Sequence, residues 1–228
     1  MNVLKVEMCK ERSPLYPKQT DAVHARLGET VLVSRFAVAN EAETLARCGL
    51  VDLTNLARVG FRGTDAADYL QHRNYRLPEA PNRALAQLDG SLVARLSQTE
   101  YLLLGSLHDG GSRIQAEENR WALGAKALYL LPRQDSHAWL LLSGEHASQV
   151  MAKLCGVDLR AESFAEGAVA QTSAARINVI VINAPIDGLP GYHILCDRSS
   201  VSYFWDVLLD AMSEFAGKPV GIEALLDR

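Results

Sequence analysis

Long apolar runs are missing from this 228-residue chain, and no stretch reaches the ~18–20 residues a membrane-spanning helix needs. The first residues, MNVLKVEMCKERSP, contain no apolar core of the kind a secretion signal requires, so a cytoplasmic protein is expected. Charge of one sign is also missing. Lys and Arg number 23 against 27 Asp and Glu, and a formal charge of −4 offers no broad basic field for nucleic acid. The four cysteines, Cys9, Cys48, Cys155 and Cys196, show no C-x-x-C spacing, which gives neither a zinc site nor a redox pair and suggests reduced thiols, most of them in the core. The six histidines lack ligand spacing, so no metal site is expected. There is no G-x-S-x-G elbow, no P-loop and no G-x-G-x-x-G.

What the chain has is repetition. Residues 57–71, ARVGFRGTDAADYLQ, read as a strand ending at Gly63, with Thr64 as a helix cap and Ala66, Ala67, Tyr69 and Leu70 at helical spacing. Residues 137–156, HAWLLLSGEHASQVMAKLCG, repeat the plan: a strand to Gly144, then an apolar stripe of Ala147, Val150, Met151 and Leu154. A second unit also recurs. Residues 91–106 form a hairpin turning at Gln98-Thr99, and the helix after it is expected to bury Ile114, Trp121, Ala122 and Leu123. Its counterpart is the strand at 177–182, a turn PIDGLPG, the strand YHILC and a serine-capped helix over 199–212. In that helix Phe204, Val207, Leu208 and Ala211 mark the buried face, and the consecutive Tyr203, Phe204 and Trp205 spread over about 200°, so one or two aromatics point outward as candidate partner anchors. His193 alternates with Tyr192 and Ile194 and is expected at the surface.

Strand–helix–strand–strand–helix used twice is the pattern of an α+β protein with two ferredoxin-like lobes. The expected division is an N-terminal extension of a strand (29–38) and a helix from Asn40 (1–45), a first lobe (46–130), a second lobe (131–216) and a connector (217–228) in which residues 222–226 begin a helix.

Three segments carry a family resemblance: GLVDLTNLARVGFRGTDAADYLQ (49–71), LPEAPNRALAQLDGSLVARLSQTEYLLLGS (77–106) and LLLSGEHASQVMAKLCGVDLRAESFAEGAVAQTSAARINVIVI (140–182). Together with the Gly-turn, strand, helix and GKPVG connector that follow, they resemble the aminomethyltransferase family, the T-protein of the glycine cleavage system. The last two segments are most similar to one branch, the gamma subunit of heterotetrameric sarcosine oxidase. The resemblance implies the folate-binding aminomethyltransferase fold, shortened before the family's C-terminal barrel. It also implies one-carbon metabolism, with FAD, FMN and NAD on partner subunits.

It further implies where tetrahydrofolate would be held. An acid in the glycine turn and an arginine after the connector help hold folate in that family, and here those positions are Leu189 and Leu225. The family's Asp-Asp at a hairpin start aligns with Asp89-Gly90, which makes Asp89 the candidate catalytic acid, although Asp-Gly is also an ordinary turn signal. Asp187 is a candidate substitute for the lost acid, and Arg83 and Arg176 are candidates to clamp the carboxylates of a folate tail. Two readings follow. One is an accessory subunit packed on larger sarcosine-oxidase-like subunits. The other is a tetrahydrofolate-dependent aminomethyltransferase using Asp89, completed by a homodimer.

Overall fold

The structure, a computed structural model, describes residues 4, 9, 11–186 and 188–226. It opens with a hairpin of β1 (Ala22–Leu27) and β2 (Thr30–Phe36), followed by α1 (Glu41–Cys48). Asn40 caps α1: its side chain accepts the Glu43 N–H, and Glu41 and Glu43 sit in the first turn, where the helix dipole favours acids. β1 gave no signal of its own, because its residues are all half-buried or exposed.

Two larger sheets follow. A five-stranded antiparallel sheet has the order β5 (Arg83–Ala86), β6 (Leu92–Arg95), β7 (Glu100–Leu104), β4 (Arg58–Arg62), β8 (Tyr129–Leu131). A six-stranded sheet has the order β10 (Val169–Ala174), β11 (Ile177–Asn183), β12 (Gly191–Asp197), β9 (His137–Ser143), β3 (Gly49–Asp52), β13 (Lys218–Pro219). β3 comes early in the chain yet pairs with β9, and the connector returns as β13 to pair in parallel with β3.

Strand alternation explains the layers. In β9, Ala138, Leu140 and Leu142 face one cluster, where α5 (Ala147–Leu154) and α6 (Val201–Ser213) pack. Trp139 and Leu141 face another, with Leu92, Ala94, Leu102 and Leu104 of β6 and β7. The opposite faces of β4, β6 and β7 place Val59, Phe61, Val93, Tyr101 and Leu103 against α2 (Ala66–Gln71) and α3 (Ser112–Arg120). The two sheets therefore meet face to face and each carries helices on its far side. Strands covered on both faces read as nearly continuous hydrophobic runs, as YLLL and AWLLL do. At their edges the sheets are tied by backbone bonds: Ala84 N–H donates to the Gly167 carbonyl (2.7 Å) and Val169 N–H to that of Asn82 (3.0 Å).

Arg58 fixes the crossing from β3 to β4. Its buried guanidinium donates to the carbonyls of Thr54, Leu56, Gln134 and His137. That places the loop after β3 against α4 (Arg133–Ser136) and the start of β9. Burial, and then the nearby Arg198, push its pKa down to about 9.

Several local expectations are corrected. α2 begins after Asp65, not Thr64, and Asp65 binds the Ala127 N–H across the sheet instead of capping. A short 3₁₀ turn (Arg198–Ser200) precedes α6, and Asp197, not a serine, accepts the Ser199 N–H. α3 ends at Arg120, so Ala122 and Leu123 lie beyond it and are exposed, while Ile114 is buried as expected. Of the three aromatics in α6, Phe204 and Trp205 are buried and Tyr203 is exposed.

The repeated strand–glycine–helix corner has a steric cause. Gly63 and Gly144 hold φ of +137° and +108°, and an added Cβ would lie 1.9 Å from the Ala127 carbonyl oxygen and 2.5 Å from the Arg47 carbonyl carbon, respectively. Left-handed backbone alone costs a side chain roughly 1–3 kcal/mol. Gly63→Ala and Gly144→Ala are therefore expected to lower the free energy of urea unfolding by at least that amount, whereas Gly156→Ala, which meets nothing within 4 Å, leaves it nearly unchanged. Equal midpoints for all three would contradict this account.

Candidate functional site

Between the two sheets lies a cleft of about 180 Å³. Its floor is Trp139 and His193 of the six-stranded sheet. One wall is Ala86, Gly90 and Leu92 around the β5–β6 turn, and another is Leu53 and Leu56 after β3. Ala184, Pro185 and Ile186 come from the loop before β12, Ser106, Leu107 and His108 from the loop after β7, and Leu225 and Leu226 from α7 (Glu223–Leu226). The resemblance led to this region through Asp89-Gly90 and Leu225, of which Gly90 and Leu225 line the cleft.

His193 is 4% exposed, which corrects the surface expectation. Alternation did turn it away from Tyr192 and Ile194, but the face it joins is covered by the second sheet. Trp139 Nε1 donates to His193 Nδ1 at 3.1 Å. Indole nitrogen is only a donor, so Nδ1 is bare and the proton of the neutral ring sits on Nε2. Burial pushes the imidazole down to about 4, against a smaller upward pull from Ala184, and the ring is neutral near pH 7. No motif announced this pair. The only signal was a histidine and a tryptophan on adjacent strands of apolar character.

Asp89 stands at the β5–β6 turn but points away from this chemistry. Its Oδ1 accepts the Ser91 N–H (3.1 Å) and hydroxyl (2.7 Å), and its Oδ2 takes an ion pair from Arg113 at 2.6 Å. Arg113 lies 4.1 Å from the Tyr75 ring centroid and also reaches the Asn74 carbonyl. Partial burial works to raise the Asp89 pKa, but the hydrogen bonds from Arg113 and Ser91 outweigh it and hold the carboxyl below its ordinary range. Gly90, at φ +82°, lines the cleft in its place, and a Cβ there would meet Ser106 Oγ at 2.8 Å and His108 Cδ2 at 2.9 Å. A second acid at this position would need a left-handed backbone and a shift of the Ser106 and His108 side chains.

The remaining candidates are not brought together. Arg83 is exposed on β5, where its backbone bridges Ala168. Arg176 is exposed in the two-residue turn between β10 and β11 with φ +66°. Asp187 lies outside the described residues. Its neighbours Ile186 and Leu189 pair across a tight turn, and Leu189 packs on the apolar layer between the sheets. Leu225 is buried in that same layer. Holding the pterin of tetrahydrofolate requires a buried carboxylate facing two N–H groups. Among the described residues the cleft's polar side chains are Ser106, His108 and the internally bonded Trp139–His193 pair, a donor set that does not fit it.

Two facing sheets with helices outside and a cleft between them make a mixed α/β fold similar to that of the aminomethyltransferases. The GCVT N-terminal domain model matches residues 85–227, more than half of the chain, and the protein belongs to that family. The sarcosine oxidase gamma subunit of Corynebacterium sp. (strain P-1) is 29% identical over 203 residues, covering 84% of this chain and 96% of the relative. An aminomethyltransferase of Bacteroides fragilis is 23% identical over 216 residues, covering 89% of this chain but only 58% of the relative, so the chain spans under two thirds of that enzyme's length. In fold it is similar to a chain of the heterotetrameric sarcosine oxidase from Corynebacterium sp. U-96 (TM-score 0.61, 24% identity, 78% of this chain and 91% of that one). It is also similar to aminomethyltransferase T of the glycine cleavage system from Bartonella henselae (TM-score 0.69, 17% identity, 92% and 58%).

If Asp89 serves the turn, Asp89→Asn lowers stability at pH 7 by about 1 kcal/mol, as expected for a partly exposed ion pair with local hydrogen bonds. Because the folded carboxyl titrates below the unfolded one, that contribution is present above the ordinary carboxylate range and is lost as pH falls through the depressed value. Urea unfolding of both proteins should therefore converge in acid. A gap that persists or widens at low pH would contradict the assignment.

Proposed function

We propose that this chain is an accessory subunit, similar in role to the gamma subunit of heterotetrameric sarcosine oxidase. It packs on larger subunits that carry folate, FAD, FMN and NAD during N-methyl amine oxidation and one-carbon metabolism in the cytoplasm. The observation that carries the reading is that Leu225 and Leu189, which the family resemblance aligns with folate-holding residues, pack in the apolar layer between the sheets, and that the Asp89 carboxylate is bound to Arg113 and Ser91. The reach of the similarity supports it, since nearly the whole gamma relative is matched but only about three fifths of the aminomethyltransferase.

The strand orders fit two ferredoxin-like lobes. In the first, β8-β4-β7-β6 with α2 and α3 follows that plan. In the second, β11-β12-β9 with α5 and α6 does so, and β3 takes the fourth position. Tyr203, 51% exposed on α6, is a partner anchor in this reading.

The second reading is a tetrahydrofolate-dependent aminomethyltransferase with Asp89 as its acid, Arg83, Arg176 and Asp187 on the folate, and a homodimer completing the site. Similarity to the aminomethyltransferases favours it. It needs Asp89 to exchange Arg113 for substrate, and it needs two arginines that the fold places on separate surface elements. The test is purification of the tagged chain from its native cell under mild conditions, with native mass spectrometry. A stoichiometric complex showing flavin absorbance is expected. A chain that runs alone, or only as a homodimer, contradicts the accessory-subunit reading.

A further inference from the structure

We propose that the cleft between the two sheets is a binding site for one uncharged aromatic ring, and that the tetrahydrofolate implied by the fold family does not enter it. Size comes first. At about 180 Å³ the cleft falls below the 300–1,000 Å³ typical of pockets for drug-sized ligands. It is close to the roughly 150 Å³ apolar cavity that takes benzene in a protein core.

Chemistry points the same way. Leu53, Leu56, Leu92 and Leu225 supply apolar walls, and the Trp139 indole supplies a ring for offset or edge-to-face packing. The polar groups that could grip a pterin are already engaged within the chain. His193 accepts the Trp139 indole N–H on Nδ1. Asp89 has both oxygens on Arg113 and Ser91 and does not line the cleft. Ser106 Oγ accepts the His108 N–H (3.1 Å), leaving one hydroxyl proton, the His193 Nε2–H and the His108 imidazole as the polar side-chain groups with capacity to spare. A pterin buried here would leave most of its donors and acceptors unanswered, whereas a plain ring has none to satisfy. Apolar surface continues outward at Leu226, which lines the cleft and is 40% exposed.

The inference is independent of the accessory-subunit reading. A chain that takes up a ring yet purifies alone contradicts only that reading, and a chain that assembles but leaves the ring in solution contradicts only this one.

The experiment is a titration of the full chain with toluene, with benzoate and tetrahydrofolate in parallel, followed by methyl NMR of the leucines. Toluene should shift the Leu92 and Leu225 methyls saturably and raise Tm. Benzoate, the charged counterpart, should bind about tenfold more weakly or worse, because burying its charge among apolar walls costs more than the few donors in the cleft return. Tetrahydrofolate should not displace toluene. Leu225→Trp, which fills the cleft, should abolish the toluene shifts. Leu226→Trp at the entrance repeats the test with a smaller threat to folding. Toluene shifts absent or located elsewhere in the folded chain, toluene binding that survives in both variants, or tetrahydrofolate binding that displaces toluene would each overturn the proposal.

Discussion

The structure depends on the layer where the two sheets meet. Leucines from β6, β7 and β9, with Val51 of β3, Ile182 of β11 and Leu195 of β12, bury one face of those strands there. Each such side chain is worth about 1.5–3 kcal/mol in transfer free energy, and replacing one with alanine costs more because the opposing sheet cannot fully collapse into the gap. The layer tolerates a histidine and a tryptophan nitrogen only because they satisfy one another. A charged imidazole would be uncompensated at that depth, so the same contact that shapes the cleft also keeps it neutral.

That constraint spreads to the polar residues around it. The β5–β6 turn must seat Gly90 against Ser106 and His108, and Asp89 is the residue that holds the turn, through Ser91 on one oxygen and Arg113 on the other. Arg113 links the turn to α3 and, over the Tyr75 ring, to the segment after α2. A carboxylate so engaged is a brace between a sheet and its helix. Freeing it for a ligand would disturb the turn, the salt bridge and the cation–π contact together. The connector is drawn into the same arrangement: β13 adds to the six-stranded sheet and α7 lays Leu225 across the cleft.

Much of the fold was legible in the sequence because steric demands leave residue signatures. The corners at Gly63 and Gly144, the hairpin at Gln98-Thr99, the Asn40 cap and the stripe on α6 all arise from local geometry that the sequence states directly. The family was legible for a related reason, as its motifs sit at those corners and turns. Failures came where burial is decided by distant chain. Alternation gave the side of β12 on which His193 lies, but not that a second sheet would cover it. Leu123 has an apolar side chain and an exposed position, because α3 stops three residues earlier. β10, written VAQTSA, alternates weakly and is a sheet edge, and only its partner β11 makes it a strand. The Asp89 carboxylate could be read as an acid or as a turn residue from sequence. Arg113, 24 positions away, decides its partner.

The central claim is that the buried Trp139–His193 pair is bonded internally and Asp89 is held by Arg113 and Ser91, which leaves a scaffold with an apolar-walled cleft. The most direct measurement is nitrogen-15 NMR of the His193 ring across pH. The account predicts a neutral imidazole at pH 7, protonated on Nε2 and bare on Nδ1, that resists protonation until about pH 4. An imidazolium at neutral pH, or a proton on Nδ1, would contradict it.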